Sequence, residues 1–78
     1  MDLLDIAVRV DARGLSCPMP IVKTAQAVKP LESGALVEVL ATDPGSTKDF
    51  AAWCRSTGNE LVDQGVDGAV FRFVVRRK

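Results

Sequence analysis

Seventy-eight residues suffice for one domain and not for two, and a hydrophobic share of 47% is that of an ordinary globular protein. Ten basic and ten acidic side chains cancel to zero net charge, which argues against direct nucleic-acid binding and against capture by an anionic membrane. Two cysteines and no histidine fall short of the four ligands of a structural zinc site, exclude Cys-His and Ser-His-Asp catalysis within the chain, and leave no metal or other cofactor indicated.

The opening "MDLLDIAVRV" lacks the basic start and unbroken apolar stretch of a signal peptide, and no apolar run approaches the roughly 20 residues that span a bilayer. The expectation is a cytoplasmic protein with no membrane partner, in which cysteines stay thiols. From Ile6 to Val10 apolar residues alternate with others, as in a half-buried strand. Asp11 and Gly14 then mark a turn, and helical positions begin at or just after Cys17. Ile21, Val22, Ala25 and Val28 recur at helical spacing, and the helix ends near Pro30.

"ALVEVLAT" reads as a second strand with Val37, Val39 and Ala41 on one side. After "DPGS", Ser46 and Asp49 resemble a weak capping box, and Phe50, Trp53, Cys54 and Thr57 form one stripe of a helix that stops at Gly58. Two closing strands follow, "NELVDQ" and "AVFRFVVRR", separated by "GVDG", with Phe71, Phe73 and Val75 facing the core. The order βαβαββ predicts a two-layer α/β (α+β) sandwich, a four-stranded mixed sheet with two helices on one face, in a single domain over residues 1–78. The other face would show Ala7, Arg9, Leu36, Glu38, Leu40, Arg72 and Val74 to solvent, with enough apolar area to receive a partner.

The two cysteines differ in setting. Cys54 lies on the stripe its helix must bury, so it reads as a core residue. Cys17, placed at the N-cap, would put Pro18 and Pro20 at the first and third helical positions, where a missing N–H costs no helical bond. The helix dipole would then favour the thiolate, with the Met19 N–H the one donor left to it and Lys23 adding to the effect if its side chain folds back. Two readings stand at this point: a small apolar residue tucked under the turn, or an exposed nucleophile lifted by Gly14 and stiffened by the prolines. An exposed thiolate without a base suits exchange at sulfur, as in disulfide exchange or persulfide transfer. Proline at position 20 denies a C-x-x-C pair, so a dithiol oxidoreductase is disfavoured.

"DARGLSCPMP" resembles the D-x-x-G-x-x-C-P-x-P signature of the TusA/SirA-like sulfur carriers. Chain length, element order, "ATDPGSTKDFAAWC" and a basic last strand extend the likeness over nearly the whole chain. The resemblance implies a carrier rather than a stand-alone enzyme. In it Cys17 takes sulfane sulfur as a persulfide from a cysteine desulfurase or other sulfurtransferase and passes it to a downstream acceptor protein. Asp11, Gly14, Pro18 and Pro20 match the motif's supporting positions, although Asp11 also has a local explanation as a cap on its own following backbone. Branches of the family serve tRNA 2-thiouridine synthesis, sulfur oxidation, molybdenum-cofactor sulfur supply and selenium metabolism, and nothing in the chain separates them. The ending "RRK" is not the Gly-Gly of ubiquitin-like carriers, so thiocarboxylate chemistry is not expected. The competing reading is a non-catalytic RNA- or protein-binding module that uses the open sheet face or the basic residues near the end. Lys23, Arg72, Arg76 and Arg77 are candidates for docking partners under either reading.

Overall fold

The alternation at Ile6, Val8 and Val10 forms a strand, and in the computed structural model, which describes residues 6–78, that strand continues to Ala12 as β1 (Ile6–Ala12). The first five residues, on which part of the expectation of no targeting segment rests, lie outside the described ones. Among the described residues no helix is long and apolar enough to cross a membrane. The remaining elements are α1 (Met19–Val28), β2 (Leu36–Ala41), α2 (Ser46–Thr57), β3 (Glu60–Asp67) and β4 (Val70–Arg76), in the βαβαββ order expected. The strands lie in the order β1-β2-β4-β3, with β1 and β2 parallel and the other pairs antiparallel. Helix α1 packs on β1 and β2, α2 packs on β3 and β4, and the helices touch each other, completing the two-layer sandwich.

The period of two in the second strand holds. Val37, Val39 and Ala41 are fully buried and meet Val10 and Ala12 of β1, Phe73 and Val75 of β4, and Phe50 and Cys54 of α2. Phe50 stacks on Phe73 at 4.5 Å, with Trp53 edge-on to Phe50 at 6.2 Å. Such aromatic pairs contribute about 0.5–1.5 kcal/mol each beyond their burial.

Both helices start differently from the pattern reading. The N-cap of α1 is Pro18, so Pro20 is its second residue; of the expected stripe Val28 is buried and Ile21 packs against the core, while Pro20 and Thr24 complete the buried face and Val22 and Ala25 are only half-buried. Thr24 is fully buried because its hydroxyl donates to the Pro20 carbonyl at 2.8 Å, which satisfies the polar group within its own helix. The N-cap of α2 is Gly45, not Ser46, and no side chain caps it. Ser46 is instead buried, its hydroxyl without a hydrogen-bond partner among the described residues. Gly58 ends α2 as expected, at φ +83° with its N–H donating to the Cys54 carbonyl at 2.9 Å.

The hairpin is tighter than the glycines of "GVDG" suggest. Gly65, Val66 and Asp67 continue β3, Asp67 pairs with Val70, and only Gly68 and Ala69 form the turn. Gly68, at φ +61°, takes the first of two turn positions, where mirror-image hairpin turns require positive φ.

The open face also departs from expectation. Ala7 and Arg9 are exposed, but Leu36 is buried and Val74 is wholly so. Glu38 of β2 accepts from Arg9 of β1 at 3.0 Å and from Arg72 of β4 at 2.7 Å, and Arg72 also reaches Asp63 of β3 at 3.3 Å. Val74 is the register partner of both Glu38 and Asp63, so this chain of charges across all four strands lies over it. Arginine stems cover apolar surface while their guanidinium groups remain wet. The face presents paired charge, not the free apolar area anticipated.

Candidate functional site

Because β1 and β2 are parallel and each is followed by a helix, the N-termini of α1 and α2 stand at the same end of the sheet. Cys17 belongs to the loop entering α1, and Asp43 to the loop entering α2. Gly14, at φ +80°, turns the first loop away from β1, and its N–H donates to the Thr42 hydroxyl at 2.9 Å, tying the two loops together. Leu15 packs against the core beneath, while Ser16, Cys17, Pro18 and Met19 are all exposed.

Cys17 is not the N-cap of α1. It lies inside a turn closed by the Met19 N–H donating to the Ser16 carbonyl at 2.8 Å, and the Cys17–Pro18 peptide bond is cis. The donor expected for a thiolate is therefore occupied by Ser16. Lys23 does not fold toward the sulfur either, since its ammonium donates to the Asp11 carbonyl at 3.2 Å.

The electrostatics of the site run opposite to the helix-dipole expectation. The Cys17 thiol is raised above its ordinary pKa, first by its hydrogen bond to the Asp49 carboxylate, then by partial desolvation and by the negative charges of Asp49 and Asp43. A carboxylate that accepts from S–H and repels S⁻ favours the neutral form on both counts. The Cys54 thiol is also raised, by burial alone. Asp49 was read from sequence only as a helix-capping residue, and Asp43 not at all. Each stands in the segment that starts α2, and their approach to Cys17 follows from the shared end of the two βα units.

Asp11 accepts the Arg13 N–H at 3.2 Å, the arrangement expected of a residue capping its own turn, and Arg13 closes back on it with its guanidinium at 2.8 Å. These contacts hold the Asp11 carboxyl at about 2, well below the ordinary range. Asp11, Gly14, Pro18 and Pro20 thus all shape the Cys17 loop or the helix start beneath it, with Pro20 buried.

Of the candidate docking residues, Lys23 stays at the Cys17 end, bonded to the Asp11 carbonyl, whereas Arg72 lies on the open face and Arg76 and Arg77 lie at the other end of the sheet. Arg72 is held by Glu38 and Asp63 on the open face, and Arg76 pairs with Glu60 at 2.8 Å. Arg77 donates its Nε to the Val28 carbonyl at the C-terminus of α1, at 2.9 Å. Arg76 is the register partner of Leu36, the first residue of β2, whereas Cys17 lies beyond the last residues of β1 and β2. At about 3.3 Å per residue the length of β2 separates them by roughly 17 Å. Among the described residues no group of His, Cys, Asp and Glu could hold a metal ion.

Residues 8–77 match the family described as "Sulfurtransferase TusA". The chain is 40% identical over 75 residues to the sulfur carrier protein TusA of Allochromatium vinosum, covering 96% of this chain and 99% of that one. It is 39% identical over 69 residues to the sulfur carrier protein TusA of Pseudomonas putida strain F1, covering 88% and 86%. It is also 43% identical over 75 residues to YrkF of Bacillus subtilis, of which it spans only 40% of the length. A crystal structure of a SirA-like protein from Desulfitobacterium hafniense has the same fold, with a TM-score of 0.78 at 24% identity over 88% of this chain and 95% of that one. With the C-P-x-P turn in place at the head of α1 and the match running almost from end to end, the chain belongs to the TusA family.

Proposed function

We propose that the protein is a sulfur carrier that binds sulfane sulfur as a persulfide on Cys17 and relays it between protein partners. The observation that carries this reading is the contrast between the two thiols. Cys17 is exposed on a loop anchored by Gly14 and Leu15, while Cys54 is only 5% exposed within the core. Only Cys17 can meet a sulfur on another protein.

The chemistry needs no histidine, metal or other cofactor. The Cys17 thiolate attacks the outer sulfur of a donor persulfide, R–S–SH. A new S–S bond forms to Cys17 as the donor S–S bond breaks, the donor departs as R–S⁻, and the proton lost by Cys17 ends on the donor sulfur. There is no net oxidation. Passage onward repeats the exchange, with an acceptor thiolate attacking the outer sulfur and Cys17 as the leaving thiol.

A cysteine desulfurase or another sulfurtransferase fits as donor, and a sulfur-accepting protein of tRNA thiolation or related sulfur metabolism fits as acceptor. Both meet the molecule at the Cys17 end, in the cytoplasm, and the protein serves them as a single carrier domain rather than as a stand-alone enzyme. Incubation with a desulfurase and cysteine should add one sulfur atom to the intact mass of the wild type and of Cys54→Ala, and none to Cys17→Ser. A wild type that stays unmodified with several desulfurases, or a Cys17→Ser variant that still gains sulfur, would overturn the proposal.

A further inference from the structure

At the end of the sheet opposite Cys17, the last turns of α1 and α2 and the segment after β4 enclose a cleft of about 260 Å³. Its volume lies just below the roughly 300–1,000 Å³ of drug-sized ligand sites, which suits a compact molecule. Ala25 and the buried Val28 give it an apolar wall, and Lys29, Arg77 and Lys78 bring three positive charges. Among the described residues no acidic side chain lines it, in a chain whose basic and acidic residues balance at ten each. The carbonyl ends of two helices favour cations at this place, but that need does not use up the donors. Arg77 alone of the three donates to such a carbonyl, through Nε to Val28 at 2.9 Å, with Nη1 3.5 Å from the Lys78 carbonyl. Neither the Lys29 nor the Lys78 ammonium has a hydrogen-bond or ion-pair partner among the described residues. Lys78 is nonetheless fixed in place. Its N–H donates to Asn59 Oδ1 at 2.8 Å, and its stem crosses Gly58, where a Cβ would come within 2.8 Å of Cδ. The same bond orients the Asn59 amide and leaves Nδ2 as a further donor at the cleft.

We propose that this cleft binds a small phosphomonoester, with the phosphate oxygens held by Lys29, Arg77 and Lys78 and the organic part resting on Ala25 and Val28. A dianionic tetrahedral group takes donors from several directions, as three separate cations offer them, whereas one carboxylate would leave positive charge unmatched. The apolar wall favours an ester over inorganic phosphate, since the bare ion has nothing to place there. The ten residues of α1 separate the cleft from the Cys17 turn by about 15 Å, so an occupied cleft leaves the sulfur exposed. The ligand needs nothing from Cys17, and the site stands whether or not that residue carries sulfur.

The test follows backbone amide shifts of the full chain by NMR during titration with phenyl phosphate, inorganic phosphate, benzoate and sodium chloride at matched ionic strength. Phenyl phosphate should move the amides of Lys29, Asn59, Arg77 and Lys78 and leave Gly14 and Cys17 where they are. Inorganic phosphate and benzoate should each bind more weakly, the first for want of an apolar body and the second for want of charge. Lys29→Gln and Lys78→Gln each remove an exposed charge, so the unfolding midpoint should hold while affinity for phenyl phosphate falls about fivefold in either variant. Alkylation of Cys17 by iodoacetamide should run at the same rate with and without the ester. Shifts reproduced by chloride, equal affinity in wild type and both variants, or movement confined to Arg9, Arg13 and Arg72 would overturn the proposal. Benzoate or inorganic phosphate binding as tightly as phenyl phosphate would refute the phosphomonoester assignment. A short RNA that moves these amides when phenyl phosphate does not would also overturn it, by making the cleft a nucleic-acid contact.

Discussion

The Gly14 amide donates to the Thr42 hydroxyl at 2.9 Å, and this bond joins the loop that carries Cys17 to the loop that carries Asp43. It fixes the sulfur relative to its acidic neighbours across the ends of two parallel strands. Thr42→Val keeps the shape and deletes the acceptor. Because the exposed amide can turn to water, the loss of stability should be small, about 0.5–1 kcal/mol by urea unfolding. The larger effect should be local: faster hydrogen exchange at the Gly14 amide, with exchange in β2 unchanged.

Gly14 itself is required for its backbone rather than for space. It sits at φ +80° with nothing within 4 Å of where a Cβ would be. Gly14→Ala should therefore cost only the left-handed conformation, about 1–2 kcal/mol, and Gly14→Asn should cost less, since asparagine visits that region more readily. Equal unfolding midpoints for the two variants would contradict this assignment.

Glu38 is the hub of the open face, with a side chain only 14% exposed between Arg9 and Arg72. Glu38→Ala leaves both guanidinium groups without that partner and uncovers Val74, so a loss of about 1–2 kcal/mol is expected in urea unfolding. Asp63, 54% exposed and 3.3 Å from Arg72, is peripheral, and Asp63→Ala should stay within about 0.5 kcal/mol.

Arg76 and Arg77 should separate in the same assay. Arg76 pairs with Glu60 in the open, with both side chains substantially exposed, and Arg76→Ala should fall within about 0.5 kcal/mol of wild type. The partly buried Arg77 Nε supplies a donor to the last turn of α1 through the Val28 carbonyl. Arg77→Ala should cost about 1–2 kcal/mol and should loosen exchange protection at the C-terminus of α1. Similar stability for both variants would show that the Val28 contact contributes nothing.

Much of this arrangement was legible in the residues. The period of two in Val37, Val39 and Ala41, the core side of Phe71, Phe73 and Val75, the Gly58 stop and the mixed two-layer sandwich all follow from local pattern, and the structure repeats them. What was not legible depends on contacts between distant segments or on choices with two local solutions. Two prolines admit either Cys17 or Pro18 as the last residue before α1, and the Ser16 to Met19 turn bond selects Pro18. Gly65 reads as a turn former but lies mid-strand opposite Arg72. Partners for Arg9, Arg72 and Asp63 depend on the strand order β1-β2-β4-β3, which periodicity does not determine. The negative charge of Asp49 acts on Cys17 because both helices begin at one end of the sheet. Without it the helix dipole alone predicts a lowered thiol, whereas the carboxylate raises it.

The central claim, that sulfur is carried on Cys17 and given up again, is tested most directly by a chase. Protein loaded by a desulfurase is freed of donor and cysteine, then treated with dithiothreitol while released sulfide and intact mass are followed together. The account predicts one sulfide per loaded chain, with the mass returning to that of the unmodified protein, equally in wild type and Cys54→Ala and not at all in Cys17→Ser. Sulfide released in equal amount from Cys17→Ser, or a sulfur on wild type that dithiothreitol does not remove, would contradict it.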